Sequence, residues 1–261
     1  MRTPDGAATQ RLVTDASTGT VHSRAWGPGA AWVNETLPEL LGEADDPSSF
    51  VPAHPVLIEL WRRYGHWRVP RSRRVLESLV PSVIEQKVTG MEARRSWRRL
   101  VVKYGEPAPG PAPDGLRVQP TPEQWAAIPS WEWHRAGVGP NRSATIVRAA
   151  KVAYALERTT SMSQDDADRG LRRVPGVGVW TSAEVRQRAH GDADAVSIGD
   201  FHIARNTCYA LTGEVGDDDR MLELLEPYVG HRFRVTRLIE LAGIGAPRRG
   251  PRYAPLDHRG R

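Results

Sequence analysis

"RRVPGVGVWTSAEV", residues 172–185, sets two glycines around a valine between two helix-like segments. Leu171 and Val174 end one apolar helical pattern, Pro175, Gly176, Val177 and Gly178 make a turn, and Val179 opens a second pattern running to about Gly191. Glycine lets backbone come close to another object, and the free amides opening a helix carry the positive end of its dipole. Such a turn suits a phosphate. It equally suits a tight connection whose glycines only satisfy left-handed dihedrals, and a lone G-x-G does not choose between the two.

The next passage, "GDADAVSIGDFHIARNTCYALTG" (191–213), returns the chain to Asp200 directly before the pattern Phe201, Ile203, Ala204, Tyr209. That place makes Asp200 an N-cap, a role worth ~1 kcal/mol that needs no chemistry. The same geometry holds a carboxylate charged and aimed, and a fixed carboxylate can stabilise a developing sugar cation. Capping alone and catalysis both remain open at this point.

Composition narrows the classes. The chain of 261 residues is 39% hydrophobic, enough for one large domain or a main domain with an appendage. No run reaches the roughly 18–20 apolar residues of a membrane span, and "MRTPDGAATQ" has neither an apolar secretory core nor a cleavage site, so a cytoplasmic or nucleoid location is expected. Cys208 is the only cysteine, which excludes internal disulfides, cysteine-rich zinc sites and four-cysteine iron–sulfur clusters. His202 and His231 lack metal-ligand company, and no metal site is expected. A net charge of +5 fits a polyanionic partner or an ordinary surface. Only Lys87, Lys103 and Lys151 among the 36 basic residues are lysines; arginine forks suit phosphate, and genomic base composition produces the same bias.

The organisation reads as mainly α. Residues 8–26 alternate with the period of half-buried strands around a turn at 17–19, and 34–42 look like a short helix. One hairpin is too little for an independent domain. From His54 onward no strand pattern is visible. Helical patterns cover 54–65, 71–88 (kinked or interrupted by Pro81), 91–105, 141–157 and five later segments, with a Pro/Gly-rich connector at 106–121. "GVGPNRSATI" (137–146) offers a second glycine-bearing helix start, where Asn141 or Arg142 touches phosphate or a plain cap suffices. Trp131 and Trp133 are expected to pack between helices. Three parts follow: 1–45 as a partial β subdomain, 46–245 as the helical body, and 246–261 as a basic, loosely held tail.

"LRRVPGVGVWTSAEV" followed by "SIGDFHIARNT" resembles the helix-hairpin-helix (HhH-GPD) base-excision DNA glycosylases, and within them the 3-methyladenine DNA glycosylase II (AlkA) type. The resemblance extends over about residues 54–245, with "LVPSVIEQKVTGMEARRSWRRLVVKYG" similar to the start of that family's helical body. Residues 8–42 resemble the end of its N-terminal antiparallel β domain, here a remnant. The resemblance implies a two-part helical body that binds double-stranded DNA as a monomer and flips a damaged base into a pocket.

Residue by residue, the resemblance implies that Pro175, Gly176, Val177, Gly178 and Thr181 grip phosphates at the turn, with a monovalent cation possible there and no other cofactor. Lys87 falls where the family places the residue, just after a glutamine, that fills the emptied stack, with Gln86 beside it at the DNA. Lys87 is less apolar than a typical wedge, and a solvated lysine is the alternative. Asp200 takes the catalytic place. Bifunctional relatives carry a lysine in the hairpin's second helix; this chain has Trp180 there and no lysine after Lys151, which implies hydrolysis without strand cleavage. Trp180 either faces a cationic base or packs the hairpin. Glu184 and Glu240 fall at aromatic pocket positions, where each meets the base or faces solvent. Two alternatives stand: a helix-hairpin-helix DNA-binding protein without catalysis, and a glycosylase for oxidised, deaminated or mispaired bases.

Overall fold

The computed structural model describes residues 1–247; most of the expected tail at 246–261 lies outside them. Strands Thr9–Asp15 and Thr20–Trp26 pair antiparallel in the register Thr14↔Val21, which forms the expected hairpin. It leans on the Ala30–Glu35 helix, where Gln10 donates to the Val33 carbonyl at 3.1 Å. The short helix read at 34–42 is two helices, Ala30–Glu35 and Leu37–Leu40, separated at Thr36 and started earlier by the glycines at 27 and 29. Small antiparallel pairs also join Arg2–Thr3 to Gly6–Ala7 and Glu106–Pro107 to Arg117–Val118. The last pair sits inside the connector and corrects the expectation of no strand after His54; two residues per strand leave no pattern to read.

The remainder is helical and is built around two cores. One gathers Val75, Leu79, Val83 and Ile84 of the Val75–Glu85 helix with Leu100, Trp125, Trp133, Ile146, Leu171, Val177 and Val185. The other gathers Leu57 and Leu60 of the Pro55–Tyr64 helix with Ala204, Cys208, Met221, Leu225, Val235 and Leu238. The early helix therefore packs with the C-terminal helices Ile203–Thr212, Asp218–Leu225 and Arg232–Leu241. This is the expected two-part body. A fully buried ion pair, Arg234 with Asp45 at 2.6 Å, ties the N-terminal part to the second core, while Arg2, through Gln119 and Glu106, ties it to the first.

The Val75–Glu85 helix passes through Pro81 without stopping. Proline cannot donate to the carbonyl four residues back, which is that of Glu77. The Gln119 side-chain amide donates to that carbonyl instead, at 3.2 Å. The helix begins at Val75, later than read, because Arg73 has a left-handed backbone with φ 52°.

Candidate active site

The turn joins the Gln164–Arg172 helix to the Val179–Val185 helix, which continues as a wider π turn to His190. Val177 is buried in the first core, while Pro175, Gly176 and Gly178 are exposed. The two glycines differ in what requires them. Gly176 has φ +100°, and a Cβ there would lie 1.9 Å from Thr145 Oγ1. Gly178 is extended, with φ −95° and ψ −174°, and a Cβ would meet nothing within 4 Å. Nothing among the described residues asks for glycine at 178. The amides of Gly178, Val179 and Trp180 have no acceptor among the described residues, as expected of a helix start open to an anion. Two turn carbonyls are occupied: Pro175 accepts from Arg148 at 3.3 Å and Thr145 at 3.4 Å, and Gly176 accepts from Gln86 at 3.0 Å.

Gln86 also donates to Thr181 Oγ1 at 2.8 Å. Both residues thus lock the end of the Val75–Glu85 helix to the turn. Arg142 braces the same end, donating to the Ile84 carbonyl at 2.7 Å and the Gly137 carbonyl at 3.1 Å, so its guanidinium points inward. Beyond this clamp Lys87 is exposed on a left-handed backbone, φ 54°. A non-glycine residue there costs roughly 1–3 kcal/mol, and the clamp holds it in place.

Asp200 meets the hairpin through Trp180. Its Oδ1 accepts from the His202 amide at 2.8 Å and the Ile203 amide at 3.0 Å, a turn that leads into the Ile203–Thr212 helix; the N-cap expected at Asp200 is His202, two residues later. Its Oδ2 accepts from the Trp180 indole at 3.1 Å. Trp180 belongs to the first core's hairpin and Asp200 opens a helix of the second core, so this bond spans the two parts. Trp180 is two residues beyond Gly178, so this bond sets the carboxylate beside the start of the hairpin's second helix. Phe201, beside Asp200, is 82% exposed and meets His202 edge to face at 4.8 Å.

The structure does not bring Glu184 and Glu240 together. Glu184 is buried and its carboxylate accepts from Ser197 Oγ and from Arg188 at 2.7 Å. Glu240 is exposed and pairs with Arg237 at 3.0 Å. Trp133 stacks on Trp125 in the first core at 5.8 Å, whereas Trp131 is 64% exposed and does not pack between helices. His231 is buried against Ser49 and Arg234, and no cluster of metal-ligating side chains occurs among the described residues.

Glu85 is the residue that sequence reading missed. It ends the Val75–Glu85 helix half-buried, its carboxyl group accepting no hydrogen bond among the described residues. Burial pushes its carboxyl above the usual carboxylate range; Arg188 and Arg94 oppose the shift, and Glu184 and Asp200 add to it. A helical glutamate is ordinarily solvated, so only the fold reveals it.

No protein-family model matches the sequence, and no curated protein matches it. Solved structures do. A 3-methyladenine DNA glycosylase from Archaeoglobus fulgidus superposes with TM-score 0.77 at 21% identity, over 92% of this chain and 85% of that one. The Clostridium acetobutylicum 8-oxoguanine glycosylase/lyase bound to double-stranded DNA gives 0.65 at 12% identity, over 88% and 86%. The Schizosaccharomyces pombe 3-methyladenine DNA glycosylase bound to abasic DNA gives 0.59 at 17% identity, over 78% and 94%. The chain has the fold of the helix-hairpin-helix DNA glycosylases.

Proposed function

We propose that this protein is a monofunctional DNA glycosylase that hydrolyses the N-glycosidic bond of damaged, chiefly alkylated, bases flipped out of double-stranded DNA. The observation that carries this reading is the Asp200 carboxylate, held by the His202 and Ile203 amides and by the indole of Trp180, which opens the helix that follows the glycine turn. In this mechanism the amides of Gly178 and Val179 hold a backbone phosphate, and the missing side chain at Gly178 lets it approach. Lys87 enters the gap left by the extruded nucleotide. As the base leaves, Asp200 stabilises the positive charge growing on the sugar and takes a proton from the water that attacks it.

Release of the base without strand cleavage is supported by the absence of any lysine after Lys151 and by Trp180 standing where an amine would be needed. The Archaeoglobus and Schizosaccharomyces enzymes, named for 3-methyladenine, support an alkylated substrate. Trp180 presents its indole edge to Asp200, which leaves its ring face for a cationic base. The protein works as a monomer on nucleoid DNA in the cytoplasm and needs no cofactor. A monovalent cation at the turn would use carbonyls other than those of Pro175 and Gly176, which already accept protein donors.

The test is free-base release from alkylated duplex DNA by wild type and Asp200→Asn. The asparagine carbonyl oxygen accepts the same two amide bonds, so the local turn is kept. Release is expected to fall at least ~100-fold while binding to an abasic duplex persists. Tight binding with no base release by wild type would favour a non-catalytic DNA-binding protein in which Asp200 only caps its helix.

A further inference from the structure

The positive charge of this chain is unevenly placed. Residues 248–261 carry five arginines, Arg248, Arg249, Arg252, Arg259 and Arg261, against one acid, Asp257, a surplus of four out of the chain's net five. Residues 1–247 are therefore close to balanced, at +1. Arginines beside the glycine turn are also occupied. Arg172 pairs with Asp168 at 3.3 Å, Arg188 with Glu184 at 2.7 Å, and Arg186 with Asp168 and Asp192. Arg142 serves the carbonyls of Ile84 and Gly137. A guanidinium already bound to a carboxylate offers a phosphate little net charge unless it gives that partner up.

The chain reaches its basic segment next to the candidate site. Past the Arg232–Leu241 helix, Gly243 turns the backbone with φ 67°, and Ile244 packs against the second core. Ala246 then donates its amide to Asn206 Oδ1 at 3.0 Å, and Arg205 donates to the Pro247 carbonyl at 3.2 Å. Asn206 donates its own amide to the His202 carbonyl at 2.9 Å, and the His202 amide is held by Asp200 at 2.8 Å. A path of three hydrogen bonds thus runs from the Asp200 carboxylate to Ala246. From His202 to Asn206 the helix rises only ~6 Å, so Pro247 is anchored about one turn from the residues that hold Asp200.

Resting on the reading that this site works on double-stranded DNA, we propose that residues 248–261 are the protein's main electrostatic contact with DNA, their arginines binding duplex phosphates that flank the extruded nucleotide. Guanidinium forks match phosphate oxygens in pairs. Each phosphate neutralised releases a condensed counterion, so such contacts make binding steeply salt-dependent. Phosphates carry no base identity. The segment therefore holds damaged and undamaged duplex alike, and the choice of base is left to the turn and the Asp200 pocket. Anchoring at Asn206 and Arg205 keeps this charge beside the reaction it serves.

The experiment uses the full-length chain as wild type, as R248Q/R249Q/R252Q/R259Q/R261Q, and with lysine at the same five positions. Fluorescence anisotropy follows binding to an undamaged and an abasic duplex across about 50 to 200 mM NaCl. The glutamine variant is expected to weaken binding to both duplexes by the same factor, at least ~30-fold near 0.1 M salt, and to flatten the slope of log affinity against log salt by ~4. The lysine variant should keep the slope. Base release from alkylated duplex at saturating enzyme should match wild type in both variants. A slope changed by less than ~1 would overturn the assignment, as would an equal loss in the lysine variant or a loss confined to the abasic duplex. Slower release at saturating enzyme would place the segment in the chemistry and overturn a purely electrostatic role. A wild type that releases no base, with the flattening intact, would remove the glycosylase reading alone.

Discussion

Gly176 and Gly178 lie two residues apart and answer to different demands. At Gly176 the positive φ and the 1.9 Å approach to Thr145 are internal, so Gly176→Ala is expected to cost about 2–4 kcal/mol, read as a lowered melting temperature. At Gly178 neither demand exists. Gly178→Ala should leave stability within about 0.5 kcal/mol and weaken binding to an abasic duplex ~10-fold, measured by fluorescence anisotropy. If the duplex affinity is unchanged, the turn does not hold the phosphate. From the letters alone the two glycines were equivalent, because what separates them is Thr145, a residue about thirty positions away that only the fold brings near. That Asp200 holds amides at the start of the helix was legible, two residues off the true N-cap, because its partners His202 and Ile203 are local in sequence. Its bond to Trp180 is not local, and neither is the confinement of Glu184 by Ser197, which is why the chain suggested a pocket wall where the structure has a buried brace.

Among the elements, the Val75–Glu85 helix carries the clamp, the candidate wedge and Glu85, so its passage through Pro81 matters to the whole site. Proline normally breaks a helix, and periodicity suggested a kink or interruption. Gln119 overrides that tendency by donating to the orphaned Glu77 carbonyl at 3.2 Å. Gln119→Ala should therefore cost ~1–2 kcal/mol in denaturant unfolding. In a Pro81→Ala background the same change should cost less, since the new amide can serve Glu77 itself; additive losses would show that the two residues are uncoupled. Helix existence was readable from the 3.6-residue pattern, while the strand pair Glu106–Pro107 with Arg117–Val118 was not. Ladders that short are dictated by the connector's closure rather than by alternation.

Across the whole molecule the least predictable property was which helices share a core. Pro55–Tyr64 joins helices some 150 residues later, and no local pattern encodes such a pairing. His190, at the end of the hairpin's second helix, shows what this interior costs in acid. Burial lowers its imidazole to about 4, and its Nε2 lies 2.9 Å from Thr159 Oγ1. Below pH 6.5 the unfolded chain binds a proton that the native state refuses. The contribution is therefore intact above pH 6.5 and is lost as pH falls toward 4, an effect of about 3 kcal/mol. Unfolding measured from pH 7.5 to 4 should show this loss in wild type and a flatter profile in His190→Gln; parallel profiles would assign the acid sensitivity elsewhere.

The indole bond between Trp180 and Asp200 works as an interlock. Because the hydrogen-bond donor and the acid ride on separately packed helices, small separations of these bodies would misaim the oxygen long before any helix melts. Turnover should fade on warming ahead of the loss of circular dichroism, and a seated duplex, by drawing both bodies together, should raise the temperature at which it fades.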